Sequence, residues 1–312
     1  MGSHAPRARL LPVAIILGLL ALQVVARYRW GFLFGDEWQA LHILIGFAVC
    51  FGVMALFHGA GVLRRIRRDT WFILASGLGC FLLFWYFGRM DAWARHWEPL
   101  VAAAGGGAGT WAPLYAFMYF ATCAFVFRAV LPFAGARAAF GLRLGDLGLR
   151  ARANPHRAEV RRVWIVYLLL FLGVLPFLFI AAQQGAFQAK YPLCRAMISP
   201  EGGIALEHFL VYQGFYFLIF LSGESFWRGY LTFGTERDLG FYGLCLMVVP
   251  YVTAHFGKPL PETLGAIAAG LVLGLLALKH RSVWLGVALH YAVAVTMDLL
   301  AIVANGFVIY WE

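Results

Sequence analysis

The feature that most limits this chain is a succession of about nine apolar runs, most near the ~20 residues that a helix needs to cross a bilayer. They fall at roughly 10–26, 39–60, 71–87, 111–134, 163–182, 208–232, 239–256, 262–279 and 283–305. A lipid interior offers no water to backbone N–H and C=O groups, so each run must satisfy them internally. The expectation is an all-α polytopic membrane protein with about eight to nine transmembrane helices. Composition agrees. The chain is 62% hydrophobic and 13% charged, against about 25% charged in a soluble domain. The first run follows a basic start and could be read as a signal peptide. Its roughly 17 apolar residues exceed the usual core of such a peptide, and Arg27 and Arg29 follow it directly, so a retained first helix is expected.

The net charge of +10 is unevenly spread. Basic residues gather in RRIRRD (Arg64 to Asp69), in a loop of seven arginines at 135–162, and at Lys279 to Arg281. With nine spans all three fall on one side. The bias of basic loops toward the cytoplasm then puts the N-terminus inside and the C-terminus outside. Anionic lipid is the expected partner of these loops. Aromatic residues are not interleaved with the basic ones, so no nucleic acid is expected. Within the long loop, FGLRLGDLGLR reads equally as an amphipathic piece on the membrane or as an ordinary linker. The loop divides the chain into an N-terminal four-helix membrane region (1–134), the basic loop itself (135–162), and a second membrane region (163–312) that holds nearly all the chemical residues. Cys50, Cys80, Cys123 and Cys245 lie within apolar runs and Cys194 in a loop. With no CxxC pair, neither a disulfide framework nor a zinc ribbon is indicated.

Three stretches of the second region bring ionisable groups into or beside apolar runs, where such groups are rare and usually functional. In SGESFWRGYL, Glu224 and Arg228 are four apart and share one face if the segment is an α-helix. An ion pair tying two helices together would explain them as well as chemistry would. In MVVPYVTAHFGKPLPE, Pro250 removes a backbone hydrogen bond, His255 ends the run, and Lys258 and Glu262 flank two prolines. In GVALHYAVAVTMDLL, His290 lies early in the last run and Asp298 two turns further along the same face. A lone histidine at such a place is more often interfacial than catalytic. Three helices contributing such groups point to a buried polar site, for a proton or ion path, a metal or a hydrolytic centre. Between them, Ala266, Gly270 and Gly274 have the small-xxx-small spacing of closely packed helices.

Taken in order, these stretches resemble the CAAX-protease and bacteriocin-processing (CPBP) family of intramembrane proteases. That family carries Glu-Glu-x-x-x-Arg, then Phe-x-x-x-His, then His-x-x-x-Asn or Asp. This chain has Gly223-Glu224-x-x-x-Arg228, then Tyr251-x-x-x-His255, then His290-x-x-x-Ala294. The resemblance covers roughly residues 140–305 and implies a CPBP-like catalytic region at 163–312, in a bacterial inner (cytoplasmic) membrane. Two departures matter. Gly223 stands where the family has its water-activating glutamate, and Ala294 replaces the third motif's polar residue.

The implied activity is hydrolysis of a peptide bond near the C-terminus, or in the precursor, of a membrane-associated protein or peptide. A prenylated CAAX protein is not the expected substrate of a bacterial-looking branch. The expected catalytic residues are Glu224, Arg228, His255 and His290. Glu224 would activate water shared with His255, and His290 would stabilise the oxyanion. Asp298, Lys258 and Glu262 would be supporting residues. Glu224, His255 and His290 could equally hold zinc. A metal-free site is preferred, because no HExxH places two ligands on one helix. The alternatives are a catalytically silent CPBP-fold scaffold or immunity protein, favoured by Gly223 and Ala294, and a transporter, against which no inverted repeat is found.

Overall fold

A computed structural model describes residue 6 and residues 10–106, 109–149 and 157–311. Nine principal helices organise them. They are α1 (Leu10–Trp30), α2 (Gln39–His58), α3 (Arg68–Phe87), α4 (Tyr115–Phe125), α5 (Arg157–Ala182), α6 (Leu206–Glu224), α7 (Phe241–Thr253), α8 (Leu260–His280) and α9 (Trp284–Ala304). A π-helical stretch, Val126–Val130, extends α4 into Leu131–Phe140, and another, Ser225–Phe233, extends α6 into Gly234–Leu239. Eight spans among the described residues are long and apolar enough to cross a membrane. The chain is an all-α integral membrane protein.

The ninth run is α7, and it differs from the other eight. Its 13 residues rise about 20 Å, short of the ~30 Å hydrocarbon core. Every residue from Tyr242 to Thr253 is buried. A helix apolar on all sides is one surrounded by protein or lipid, and here α1, α2, α8 and the Ser225–Phe233 stretch surround it. Its apolarity reports a protein interior.

The described residues form two compact units. One draws on 1–82, 130–153 and 225–283, the other on 83–129, 154–224 and 284–312. Each unit gathers helices that are distant in sequence. In the second unit α4 lies along α6 and α5 along α9.

The first unit has two distinguishable ends. At one, the Arg67 amide and the Thr70 hydroxyl donate to Asp238 at 2.8 and 2.9 Å. Arg281 pairs with Glu236, and the Val283 amide donates to the Gly148 carbonyl at 3.1 Å. The described parts of the three basic loops therefore share this end, as the charge pattern requires. Of the FGLRLGDLGLR piece, Leu144–Leu147 forms a short 3₁₀ turn with Leu147 buried; Arg150, and the loop residues 151–156, lie outside the described residues. At the other end Gln39 Nε2 donates to Thr253 Oγ1 at 2.9 Å. The small-residue stripe of α8 packs on α7. A Cβ at Gly274 would lie 2.2 Å from Leu244 Cδ1, and one at Gly270 3.0 Å from Tyr251 Cδ1.

In the second unit a parallel pair of short strands, Gly203–Ala205 and Val308–Tyr310, closes a core that includes Phe117, Tyr212, Tyr216 and Ala294. All five cysteines are free. Cys194, outside the spans, is buried, and burial pushes its thiol up to about 12, so it is no thiolate nucleophile at neutral pH.

One glycine is required by a backbone approach. A Cβ on Gly229 would sit 2.8 Å from the Leu147 carbonyl oxygen, and a main-chain atom cannot rotate away. Gly229→Ala is expected to destabilise by about 1–3 kcal/mol through overpacking. Gly214, with nothing within 4 Å of its would-be Cβ, is the control, and Gly214→Ala should be neutral or stabilising. Thermal unfolding of the two variants in detergent measures the contrast.

Candidate active site

The last turn of α6 buries Ser222, Gly223 and Glu224. Glu224 is 1% exposed and meets a histidine from α9: His290 Nδ1 lies 2.9 Å from Glu224 Oε1. An ionised carboxylate only accepts, so against ionised Glu224 this contact places a proton on Nδ1. His290 keeps 29% of its side chain exposed. Phe220, one turn before Glu224, lies ring to ring with His290 at 4.9 Å. Gly286 precedes His290 by four residues, and a Cβ there would approach Glu224 Oε2 to 2.8 Å. Glycine at 286 makes room for the carboxylate.

A second charge belongs to this unit. Arg128, in the π-helical stretch after α4, is buried. Its Nη2 donates to Ser222 Oγ and to the Ile219 carbonyl, both at 2.9 Å, and its guanidinium lies 5.0 Å from the Phe84 ring centre. The helix is π from Ser225 onward, with bonds running i to i+5. The Thr232 hydroxyl follows that spacing, donating to the Trp227 carbonyl at 2.8 Å.

Asp298 is fully buried. Its Oδ2 accepts from Tyr212 at 2.6 Å and Gln213 at 3.1 Å, and the Tyr291 hydroxyl donates to the Gln213 carbonyl at 3.2 Å. These bonds tie α9 to α6 beyond His290, so Asp298, expected as a supporting residue, joins the two helices. Ala294 packs into the apolar core with Tyr212 and Tyr216.

In the first unit, Arg228 is fully buried. Its Cζ lies 4.4 Å from the centre of the Tyr251 ring, and its Nη2 is 3.5 Å from the Ala269 carbonyl. The Tyr251 ring in turn meets the His255 ring edge-on at 4.8 Å. His255 Nδ1 lies 2.8 Å from the Tyr251 carbonyl, so that nitrogen carries the proton and Nε2 the lone pair. Lys258 and Glu262 pair with each other at 2.5 Å.

Among the described residues no three His, Cys, Asp or Glu side chains gather closely enough to hold a metal ion. Sequence reasoning missed Arg128, Gly286, Tyr212 and Gln213. A signal existed for Arg128, a lone guanidinium within AFVFRAVLPF and subject to the same intramembrane rule as Glu224. Gly286 carries no chemistry of its own and becomes visible only through its approach to Glu224.

The family model described as type II CAAX prenyl endopeptidase, Rce1-like, matches residues 205–296. That segment includes Glu224, Arg228, His255 and His290 and supports a CPBP-family protease, over less than a third of the chain. No curated protein and no solved structure matches.

The charge balance in the second unit is testable apart from activity. Arg128→Leu removes a buried guanidinium from the turn that carries Glu224 and should cost about 3–5 kcal/mol. Adding Glu224→Gln should recover part of that loss. A coupling above about 0.5 kcal/mol in the thermal unfolding of the double-mutant cycle is expected; strictly additive effects would remove Arg128 as the counter-charge.

Proposed function

We propose that the chain is an intramembrane endopeptidase in which Glu224 and His290 act as one water-activating unit. The observation that carries this is the 2.9 Å contact between His290 Nδ1 and the buried Glu224 carboxylate. With Nδ1–H held by glutamate, Nε2 is the acceptor that a water can reach. His290 takes a proton from that water as it attacks the scissile carbonyl, and Glu224 stabilises the imidazolium that forms. The proton then passes to the leaving amine. This gives His290 the base role that the sequence suggested for Glu224, while Glu224 remains the essential carboxylate. His255 enters through the ordered motif and its Nε2 lone pair. Lys258 and Glu262 support the segment that carries it.

The proposed substrate is a membrane-embedded protein or peptide, cut near its C-terminus or in its precursor. The membrane is proposed to be a bacterial inner membrane, with the basic loops against anionic lipid on the cytoplasmic side and the N-terminus inside. The Rce1-like match supports the peptidase class. Gly223 and Ala294 favour a second reading, a silent scaffold of the same family.

Purified protein in liposomes, offered a farnesylated C-terminal CAAX peptide and a membrane-anchored precursor peptide, decides between them. Cleavage is expected. Glu224→Gln and His290→Ala should each abolish it with the fold retained, by about 100-fold or more for loss of the acid–base unit. Near-normal cleavage by Glu224→Gln defeats the assignment, and binding of a peptide without cleavage by the unmodified chain selects the scaffold.

A milder outcome is expected at the flanking ion pair. Lys258→Ala or Glu262→Ala exposes one partner of a pair already about one-third in solvent on each side. Exposed pairs contribute about 0.2–1 kcal/mol, so either variant should lose less activity than His255→Ala in the same assay. Equal loss in all three would make the pair catalytic.

A further inference from the structure

The end of the first unit that carries His255 also holds a buried polar cluster built from α1, α2 and the loop between them. That loop is strained. Three of its residues have left-handed backbone: Gly31 at φ 66°, Leu33 at 49° and Gly35 at 124°. Leu33 carries a side chain, so its conformation persists only where the surroundings impose it. Here two buried donors do so. The Leu33 carbonyl accepts from Arg27 Nη1 at 2.6 Å and from His42 Nε2 at 3.1 Å. Arg27 Nη1 also reaches the Gly35 carbonyl at 3.2 Å. Gln23 Nε2 lies 2.9 Å from His42 Nδ1, and as an amide nitrogen it can only donate, so Nδ1 accepts and the His42 proton sits on Nε2, toward Leu33.

Both donors bear on the residue next to His255. The Arg27 guanidinium lies 4.5 Å from the Phe256 ring centre, and the His42 ring meets that ring edge-on at 4.9 Å. The neighbouring backbone is held as well. The Tyr28 hydroxyl donates to the Lys258 carbonyl at 2.7 Å and lies 2.9 Å from Thr263 Oγ1. Thr263 Oγ1 donates to the His255 carbonyl at 3.0 Å. Gln39 holds Thr253 at 2.9 Å. Thus Thr253, His255, Phe256 and Lys258 are each fixed, directly or through Thr263, by side chains of α1 and α2. Those helices lie outside the segment matched by the family model, 205–296.

We propose that Arg27 and Tyr28 of α1 and His42 of α2 are positioning residues for His255. They set the direction of its imidazole by holding the segment Thr253–Thr263 against the strained loop, and none touches substrate. The functional weight of this inference rests on the endopeptidase reading; the structural effect on His255 does not.

Tyr28→Phe removes the hydroxyl and keeps the ring, which meets Phe256 edge-on at 6.4 Å, so the fold should survive. In the liposome cleavage assay kcat should fall about 10- to 100-fold, as for a displaced catalytic group, with KM unchanged. The imidazole ¹⁵N resonances of His255, assigned by their loss in His255→Ala, should pass from one tautomer to a mixture. Arg27→Lys keeps the charge without the planar fork and should show the same changes in weaker form. If the unmodified chain cleaves and both variants keep its kcat and its His255 spectrum, the inference fails while the endopeptidase stands. If the unmodified chain cuts nothing, the ¹⁵N spectra alone decide: an unchanged spectrum overturns the inference and a tautomer mixture upholds it.

Discussion

A carboxylate removed from water inside a membrane protein must be met by donors or positive charge, and the structure is arranged around this demand at Glu224. His290 supplies the donor at 2.9 Å. Arg128 brings a buried guanidinium to the same helix turn, anchored to Ser222 and Ile219. Gly286 yields the space. Each partner comes from a different part of the chain, so α4, α6 and α9 must come together before the carboxylate can be buried. The bonds of Tyr212 and Gln213 to Asp298 join α6 and α9 by the same logic further along.

Arginine shows that logic twice. Arg128 and Arg228 both lie in π-helical stretches, and both are covered by an aromatic face, Phe84 for one and Tyr251 for the other. A guanidinium is weakly hydrated and stacks on aromatic rings, which makes it the cation best suited to such places. Wide helical turns of this kind recur at functional sites.

Much of this was legible in the sequence. Six of the spans could be placed to within about four residues because lipid demands continuous apolar length. The α7 run misled in kind: a fully buried helix and a lipid-exposed one are apolar for different reasons and look alike in one dimension. Glu224, Arg228, His255 and His290 stood out as charges in apolar surroundings. The form of the helix between the first two did not, because nothing local announces the switch to π at Ser225. Asp298 was visible as a buried acid, but its engagement with Tyr212 and Gln213 depends on a helix pairing 86 residues apart.

The account depends on Glu224 and His290 working as a unit, and the most direct test compares cleavage rates of Glu224→Gln, His290→Ala and the double variant in liposomes. Residues of one catalytic unit are not additive. The double variant should cleave no more slowly than the slower single one; losses that multiply would show two independent groups and contradict the account.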